Sequence, residues 1–115
     1  MFRLITVDAG SIRLDECAVS EMLTRACRRG GGLWIEGAAC EGGRVRFVCT
    51  ERPAAMGTPR YRLSAVAQEL ESELRMRYDA GFRTVGVFPL DGKLWILTER
   101  CADNADANEN LRADE

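Results

Sequence analysis

The sequence contains no histidine among its 115 residues, and none of its five cysteines forms a Cys-x-x-Cys pair. Histidine and paired cysteines are the usual ligands of structural zinc, so we expect no such site. The missing imidazole also removes the usual partner of a catalytic thiolate. An odd number of cysteines without a secretion signal favours free thiols in a reducing compartment. The cysteines are Cys17, Cys27, Cys40, Cys49 and Cys101.

Long apolar runs are also absent. No segment approaches the roughly 18 apolar residues of a membrane span, and residues 1–4 lead into a strand-like segment without the apolar region of a signal peptide. We therefore expect a cytoplasmic protein with no membrane partner. Lysine is scarce too, because fifteen of the sixteen basic residues are arginine.

The charge is unevenly distributed along the chain. The net charge is −2, but segment 101–115 holds five acidic residues and one basic residue, which leaves 15 basic and 13 acidic residues elsewhere. This small excess is not the basic surface typical of nucleic-acid-binding proteins, so we expect no nucleic-acid partner. Segment 101–115 has too little apolar content to pack and is predicted to be a disordered acidic tail.

A pattern of helix, glycine stop and hairpin occurs twice, at 16–52 and at 64–100, and both copies end in Thr-Glu-Arg. The first hairpin is predicted around Gly42-Gly43 and the second around Asp91-Gly92, both typical of type I′ turns. The triple glycine at 30–32 follows a helix, whereas phosphate-binding loops precede one, so it is interpreted as a helix stop. A gene duplication and two similar but unrelated units both stay open.

Hydrophobic periodicity predicts seven elements. The strands are Phe2–Asp8, Leu33–Glu41, Arg44–Glu51, Phe82–Leu90 and Lys93–Glu99, and the helices are Glu16–Arg29 and Ala65–Asp79. The order β-α-β-β-α-β-β predicts one α+β domain over 1–100, with a mainly antiparallel five-stranded sheet and two helices on one face. Units 1–52 and 61–100 would be joined by a linker at 53–60. Such a fold is either ferredoxin-like with one added strand or a tandem α-β-β repeat.

Segments 21–34 and 47–52 resemble small bacterial strand–helix–hairpin domains of unknown function. The resemblance rests on a helix that ends in glycine, followed by an aromatic-rich hairpin that closes on a basic residue. Segments 81–82 and 94–100 carry the second copy, and holding two copies is where this chain departs from that group. The resemblance implies a small cytoplasmic α+β domain and lends no activity.

No catalytic constellation is visible, so we expect a protein that is not an enzyme and uses no cofactor. The only candidates for chemistry are Glu36, Asp8 and the cysteines, and they form no recognisable group. The predicted hairpin register places Glu36 opposite Cys49, on the face that meets the helices.

One apolar set of the second hairpin cannot meet the helices in a two-layer domain. This set is Phe82, Phe88, Leu90, Trp95 and Leu97. We predict that it faces outward, rimmed by basic residues that include Lys93, and forms an interface for a homodimer or another protein partner. The predicted interface residues are Trp95, Phe88, Leu97, Phe82, Ile35, Val48, Arg44 and Arg46. The alternative is a regulatory domain that binds a small molecule or an anion through aromatic and arginine side chains.

Overall fold

A computed structural model describes residues 2–29, 32–53 and 57–101. Within these residues the chain has an α+β fold of six strands and three helices. The strands are β1 (Phe2–Asp8), β2 (Leu33–Glu41), β3 (Arg44–Glu51), β4 (Pro59–Ala65), β5 (Arg83–Leu90) and β6 (Lys93–Cys101). The helices are α1 (Ala9–Leu14), α2 (Glu16–Arg29) and α3 (Leu70–Asp79), and none in the described part is long and apolar enough to cross a bilayer. Cys101, the first residue of the predicted tail at 101–115, is instead the last residue of β6, and the remainder of that tail lies outside the described residues.

The strands form two antiparallel sheets of three strands each. Sheet A has the order β1-β3-β2, and sheet B has the order β4-β6-β5. The prediction of a single five-stranded sheet is therefore wrong. The missing strand is β4: its first two residues belong to the predicted linker at 53–60, its last residue belongs to the predicted helix, and residues 61–64 were assigned to no element. The first half of the chain runs β-α-α-β-β and the second half runs β-α-β-β, and the strand order is the same in both sheets, while a gene duplication stays a prediction.

Both hairpins turn where the sequence predicts. The two residues of each turn, Gly42-Gly43 and Asp91-Gly92, have positive φ, as a type I′ turn requires. Beyond the turns, β2 has a bulge between Ile35 and Gly37, and β5 has one between Thr84 and Gly86. An extra residue in one strand reverses the sheet face that the residues beyond it occupy.

The bulge in β2 changes which residues of the first hairpin are buried. Ile35, rather than the predicted Glu36, lies opposite Cys49. Leu33 and Ile35 are consequently buried, whereas Glu36 sits in the bulge and is exposed. The expectation that Ile35 belongs to an outer face is wrong for this reason.

One apolar core lies between the two sheets and includes residues of both halves. Phe47 of sheet A meets Phe88 of sheet B edge to face, with ring centroids 6.4 Å apart. Strands β2 and β5 lie within van der Waals reach of each other, since a Cβ on Gly86 would lie 3.7 Å from the Cβ of Ala38. The inner face of each sheet therefore packs against the other sheet, which a two-layer arrangement with helices on one face did not allow.

Helix α2 lies along the edge of strand β4. The Leu63 N–H donates to the Ser20 hydroxyl at 2.8 Å, and the Tyr61 N–H donates to the Thr24 hydroxyl at 2.9 Å. Ser20 and Thr24 are four residues apart and therefore lie on one face of α2, and Tyr61 and Leu63 are two residues apart and have the same orientation in β4. The two hydroxyls therefore reach two N–H groups on the same edge of the strand. The helix thereby satisfies the free backbone donors of an edge strand and links the first half of the chain to the second.

Helix α3 lies on the outer face of sheet B, and it begins five residues later than predicted because Ala65 is still in β4. The buried Glu73 pairs with Arg77 at 3.5 Å, and Arg77 also donates to the hydroxyl of Ser64 on the outer face of β4. Ile96, the neighbour of Ser64 across the sheet, is fully buried. Sheet B is thus covered on both faces.

Candidate ligand-binding cleft

Four residues of the predicted interface are buried in the core. Phe88, Trp95 and Leu97 of sheet B are 3%, 6% and 0% exposed, and Ile35 of sheet A is 0% exposed. The prediction that they face outward is wrong, because it assumed that only one face of their sheet is covered. The inner face of sheet B meets sheet A, and its outer face carries α3.

The other four predicted interface residues do not form one surface. Val48, Arg46 and Arg44 lie on the outer face of β3 in sheet A. Phe82 instead precedes β5 of sheet B, where the guanidinium carbon of Arg100 lies 5.9 Å from its ring centroid. The structure therefore does not bring the eight residues together.

The structure does bring together polar side chains that the sequence analysis left unconnected. The side chain of Glu99 is 1% exposed; it accepts a hydrogen bond from the Tyr61 hydroxyl at 2.6 Å and pairs with Arg83 at 2.8 Å. The Tyr61 hydroxyl accepts in turn from the Ile35 N–H at 2.7 Å. Arg83 also lies over the ring of Trp34, 5.4 Å from its centroid. This chain of contacts joins sheet B to sheet A, and burial together with the bond to Glu99 raises the pKa of Tyr61.

Two buried thiols lie beside these polar groups. Cys27 of α2 and Cys49 of β3 are both 0% exposed. The interaction between the two thiols raises the pKa of Cys27, which burial raises further, and the same interaction lowers the pKa of Cys49. Because the thiols and the Glu99 carboxylate are closed to solvent, a substrate has no access to them. We interpret the whole group as a polar connection inside the core.

A surface cleft of about 660 Å³ opens where the α1–α2 corner meets the turn end of sheet B. Its volume lies within the range of about 300–1,000 Å³ that is usual for small-molecule sites. The apolar lining residues, which form the apolar wall, are Ile12, Leu14, Ala65, Leu90 and Trp95. Ile12, Leu90 and Trp95 are at most 6% exposed, so the wall is anchored in the core.

The corner that forms one side of the cleft depends on Asp15. Its carboxylate accepts a hydrogen bond from the Ala18 N–H at 3.0 Å and so caps α2, as the sequence predicted. Helix α1 ends just before Asp15, and its Ile12 is fully buried. Arg13 of α1 pairs with Asp91 in the second hairpin turn, which holds the corner against sheet B.

Trp95, Leu90 and Lys93 are predicted from the sequence to belong to a different surface. Helix α1 is not predicted, because Ala9-Gly10-Ser11 is typical of a turn and a six-residue helix is too short to show a helical period. The apolar Ile12 between polar neighbours was the one available signal.

The charged residues of the cleft are Arg13, Asp15, Glu16, Asp91 and Lys93. Arg13 forms an ion pair with Asp91, and the carboxylate of Asp15 caps the N-terminus of α2. Within residues 2–29, 32–53 and 57–101, Lys93 has no ion pair. No three or more cysteine, aspartate or glutamate side chains in those ranges are grouped so that they could hold a metal ion.

Trp95 contributes a second unused donor. Its indole N–H is buried and has no hydrogen-bond acceptor in the part of the chain that the structure describes. A buried donor without an acceptor costs about 1–3 kcal/mol. The other tryptophan differs, because the Trp34 indole donates to the Thr50 hydroxyl at 3.0 Å.

No protein-family model, curated protein or solved structure matches the chain. The resemblance to strand–helix–hairpin domains therefore stays a prediction. Any function has to be argued from the residues of the cleft and of the exposed sheet faces.

Proposed function

We propose that this protein is a non-catalytic binding domain that takes up a small molecule in the cleft between the α1–α2 corner and sheet B. The observation that carries this proposal is the cleft itself, with a volume of about 660 Å³, Trp95 on its apolar wall and charged residues around it. Small-molecule sites are typically apolar, with a few polar groups that fix the orientation of the ligand. This is the second of the two hypotheses from the sequence, now based on different residues.

The chemistry of the rim supports binding rather than catalysis. It offers carboxylates, two cations and the exposed thiol of Cys17. Among the described residues, no rim side chain is hydrogen-bonded to another in the way that a nucleophile is bonded to its general base. In the described ranges of the chain, the one bond between rim side chains runs from Arg13 to Asp91, two groups that hold the α1–α2 corner against sheet B.

Trp95 provides the binding signal. The indole nitrogen is almost fully buried, so a ligand oxygen reaches it only if the ring shifts slightly on binding. Such a shift would give the N–H its missing acceptor. Trp34 lies on another sheet and outside the cleft, so it serves as an internal reference.

The test is a fragment screen followed by nuclear magnetic resonance of the two indole N–H signals. We expect some fragments to shift the Trp95 signal in a saturable way and to leave the Trp34 signal unchanged. Ala65→Phe, which fills the apolar wall, should abolish the shift, whereas Ala67→Phe on the exposed segment before α3 should not. A screen in which no fragment shifts Trp95 selectively would refute the proposal.

Self-association is our second proposal, and it uses the outer face of sheet A. Phe2 and Leu4 of the edge strand β1 are 65% and 43% exposed, and Leu4 lies beside Val48. A second copy of the chain packing on this face would bury all three. Sedimentation of the wild type and of Leu4→Asp tests it: a dimer in the first and a monomer in the second is expected, and a monomer in both contradicts it.

A further inference from the structure

The two unused donors of the cleft lie on the same face of one strand. Lys93 and Trp95 are two residues apart in β6, so their side chains leave the same side of the sheet, about 7 Å apart along the strand. Both line the cleft. A tryptophan N–H and a lysine ammonium donate hydrogen bonds and accept none. The ligand group that meets them must therefore be an acceptor.

The other charges of the cleft limit how much negative charge the ligand can carry. Asp15, Glu16 and Asp91 surround the opening, and Arg13 is already paired with Asp91. Because Asp91 and Arg13 offset each other, a dianion such as a phosphate monoester would meet two further carboxylates, those of Asp15 and Glu16, and Lys93 as the only free cation among the described residues of the cleft. A single negative charge can lie at Lys93 with much less repulsion.

The apolar residues of the cleft favour a ligand that has an apolar body. Ile12, Leu90 and Ala65 offer the ligand no polar side-chain atom, and the exposed part of the Trp95 ring adds to this apolar wall. Burying apolar area against such a wall supplies most of the affinity of a small ligand, whereas the polar contacts fix its orientation.

We propose that the cleft binds a monocarboxylate with an aliphatic or aromatic body. The carboxylate pairs with Lys93, one of its oxygens accepts the Trp95 N–H, and the body lies against Ile12, Ala65 and Leu90. This inference rests on the proposed binding function and names the ligand class for the same cleft.

The test compares ligands that share one body and differ in the head group. Phenylbutyrate, phenylbutanamide and phenylbutyl phosphate are titrated into the full chain, with the Trp95 indole signal as the readout. We expect the carboxylate to bind about fivefold more tightly than the amide at low salt. That preference should shrink in high salt, because the lysine is exposed. The phosphate should bind more weakly than the carboxylate.

Lys93→Gln and Arg44→Gln form the matched pair of variants. Both residues directly follow a hairpin turn, but only Lys93 lines the cleft. Lys93→Gln should remove the preference for the carboxylate and keep binding of the amide, whereas Arg44→Gln should keep the preference.

The outcomes separate this inference from the proposed function. Equal affinity of carboxylate and amide, or tighter binding of the phosphate, overturns the ligand class and leaves the cleft as a binding site. If no carboxylate in a series of aliphatic and aromatic acids shifts Trp95 at millimolar concentration, the inference is wrong. The fragment screen then decides independently whether the cleft binds anything.

Discussion

Replacing Tyr61 with phenylalanine removes a single oxygen atom from the centre of the molecule. That oxygen accepts from the Ile35 N–H at 2.7 Å and donates to the Glu99 carboxylate at 2.6 Å. The variant leaves a buried amide without an acceptor, at about 1–3 kcal/mol, and removes a charge-assisted bond worth about 1.5–3 kcal/mol. We therefore expect Tyr61→Phe to lower the free energy of unfolding by about 3–5 kcal/mol, a large share of the stability of a small domain.

Urea denaturation followed by circular dichroism measures this loss. Tyr78→Phe is the matched control, since Tyr78 is the other tyrosine of the chain and is 76% exposed on α3. The control should change the unfolding free energy by less than about 0.5 kcal/mol. In a double-mutant cycle, Tyr61→Phe and Glu99→Gln together should cost less than the sum of the single variants, because they share one hydrogen bond. If the two tyrosine variants lose equal stability, the described role of the hydroxyl is wrong.

Three further predictions follow from single contacts. The raised pKa of Tyr61 means that its contribution to stability is complete below about pH 10, its usual value, and declines as the pH rises further; urea midpoints in alkaline buffers should fall less steeply for Tyr61→Phe than for the wild type. Asp15→Ala should lower the free energy of unfolding, measured with heat or urea, by about 1 kcal/mol, because the cap of α2 is lost. Asp8→Ala should lower it less, because Asp8 makes no side-chain cap bond at α1 among the described residues. Gly86→Leu should cost about 2 kcal/mol or more by crowding β2, whereas Gly37→Leu should cost less, since a Cβ there meets no other described atom within 4 Å. Equal losses would contradict the packing of β2 against β5.

The features that depend on short-range chemistry could be predicted from the sequence. The turn residues fix the two hairpins, because only a few residue types adopt positive φ readily. Helix α2 begins and ends where it was predicted, with Asp15 as its cap. The pairing of each hairpin is also confirmed from its turn as far as the bulge.

The predicted hairpin register is wrong beyond the two bulges. Counting outward from the turn places Glu36 opposite Cys49 only if both strands are regular. Gly37 and Gly86 directly follow the bulged positions, and a glycine inside a strand is a known sign of a bulge. Reading them in that way would have turned Ile35 toward the core.

Strand β4 was not predicted, although its alternating apolar and polar residues are typical of a strand. Tyr61 and Leu63 alternate with Arg60 and Arg62, the pattern of a half-buried strand. Pro59 made the segment resemble a linker, although proline is tolerated as the first residue of an edge strand.

The position of Trp95 could not be predicted from its own neighbourhood. An apolar sheet face can pack against a helix, a second sheet or a partner protein. The local sequence does not distinguish these three possibilities. The cleft depends in the same way on three distant segments meeting: α1, the end of β4 and the second hairpin turn.

The hydrogen bonds that join α2 to β4 bear on how the chain reaches this fold. Ser20 and Thr24 belong to the first half and accept hydrogen bonds from backbone N–H groups of a strand in the second half. The hydrophobic core also includes residues of both halves, so neither half contains a complete core. A fragment ending at residue 53 should stay unfolded until the remainder is supplied, and exchange of halves between two molecules is the natural misassembly. During synthesis on the ribosome, both halves must therefore have emerged before either becomes stable.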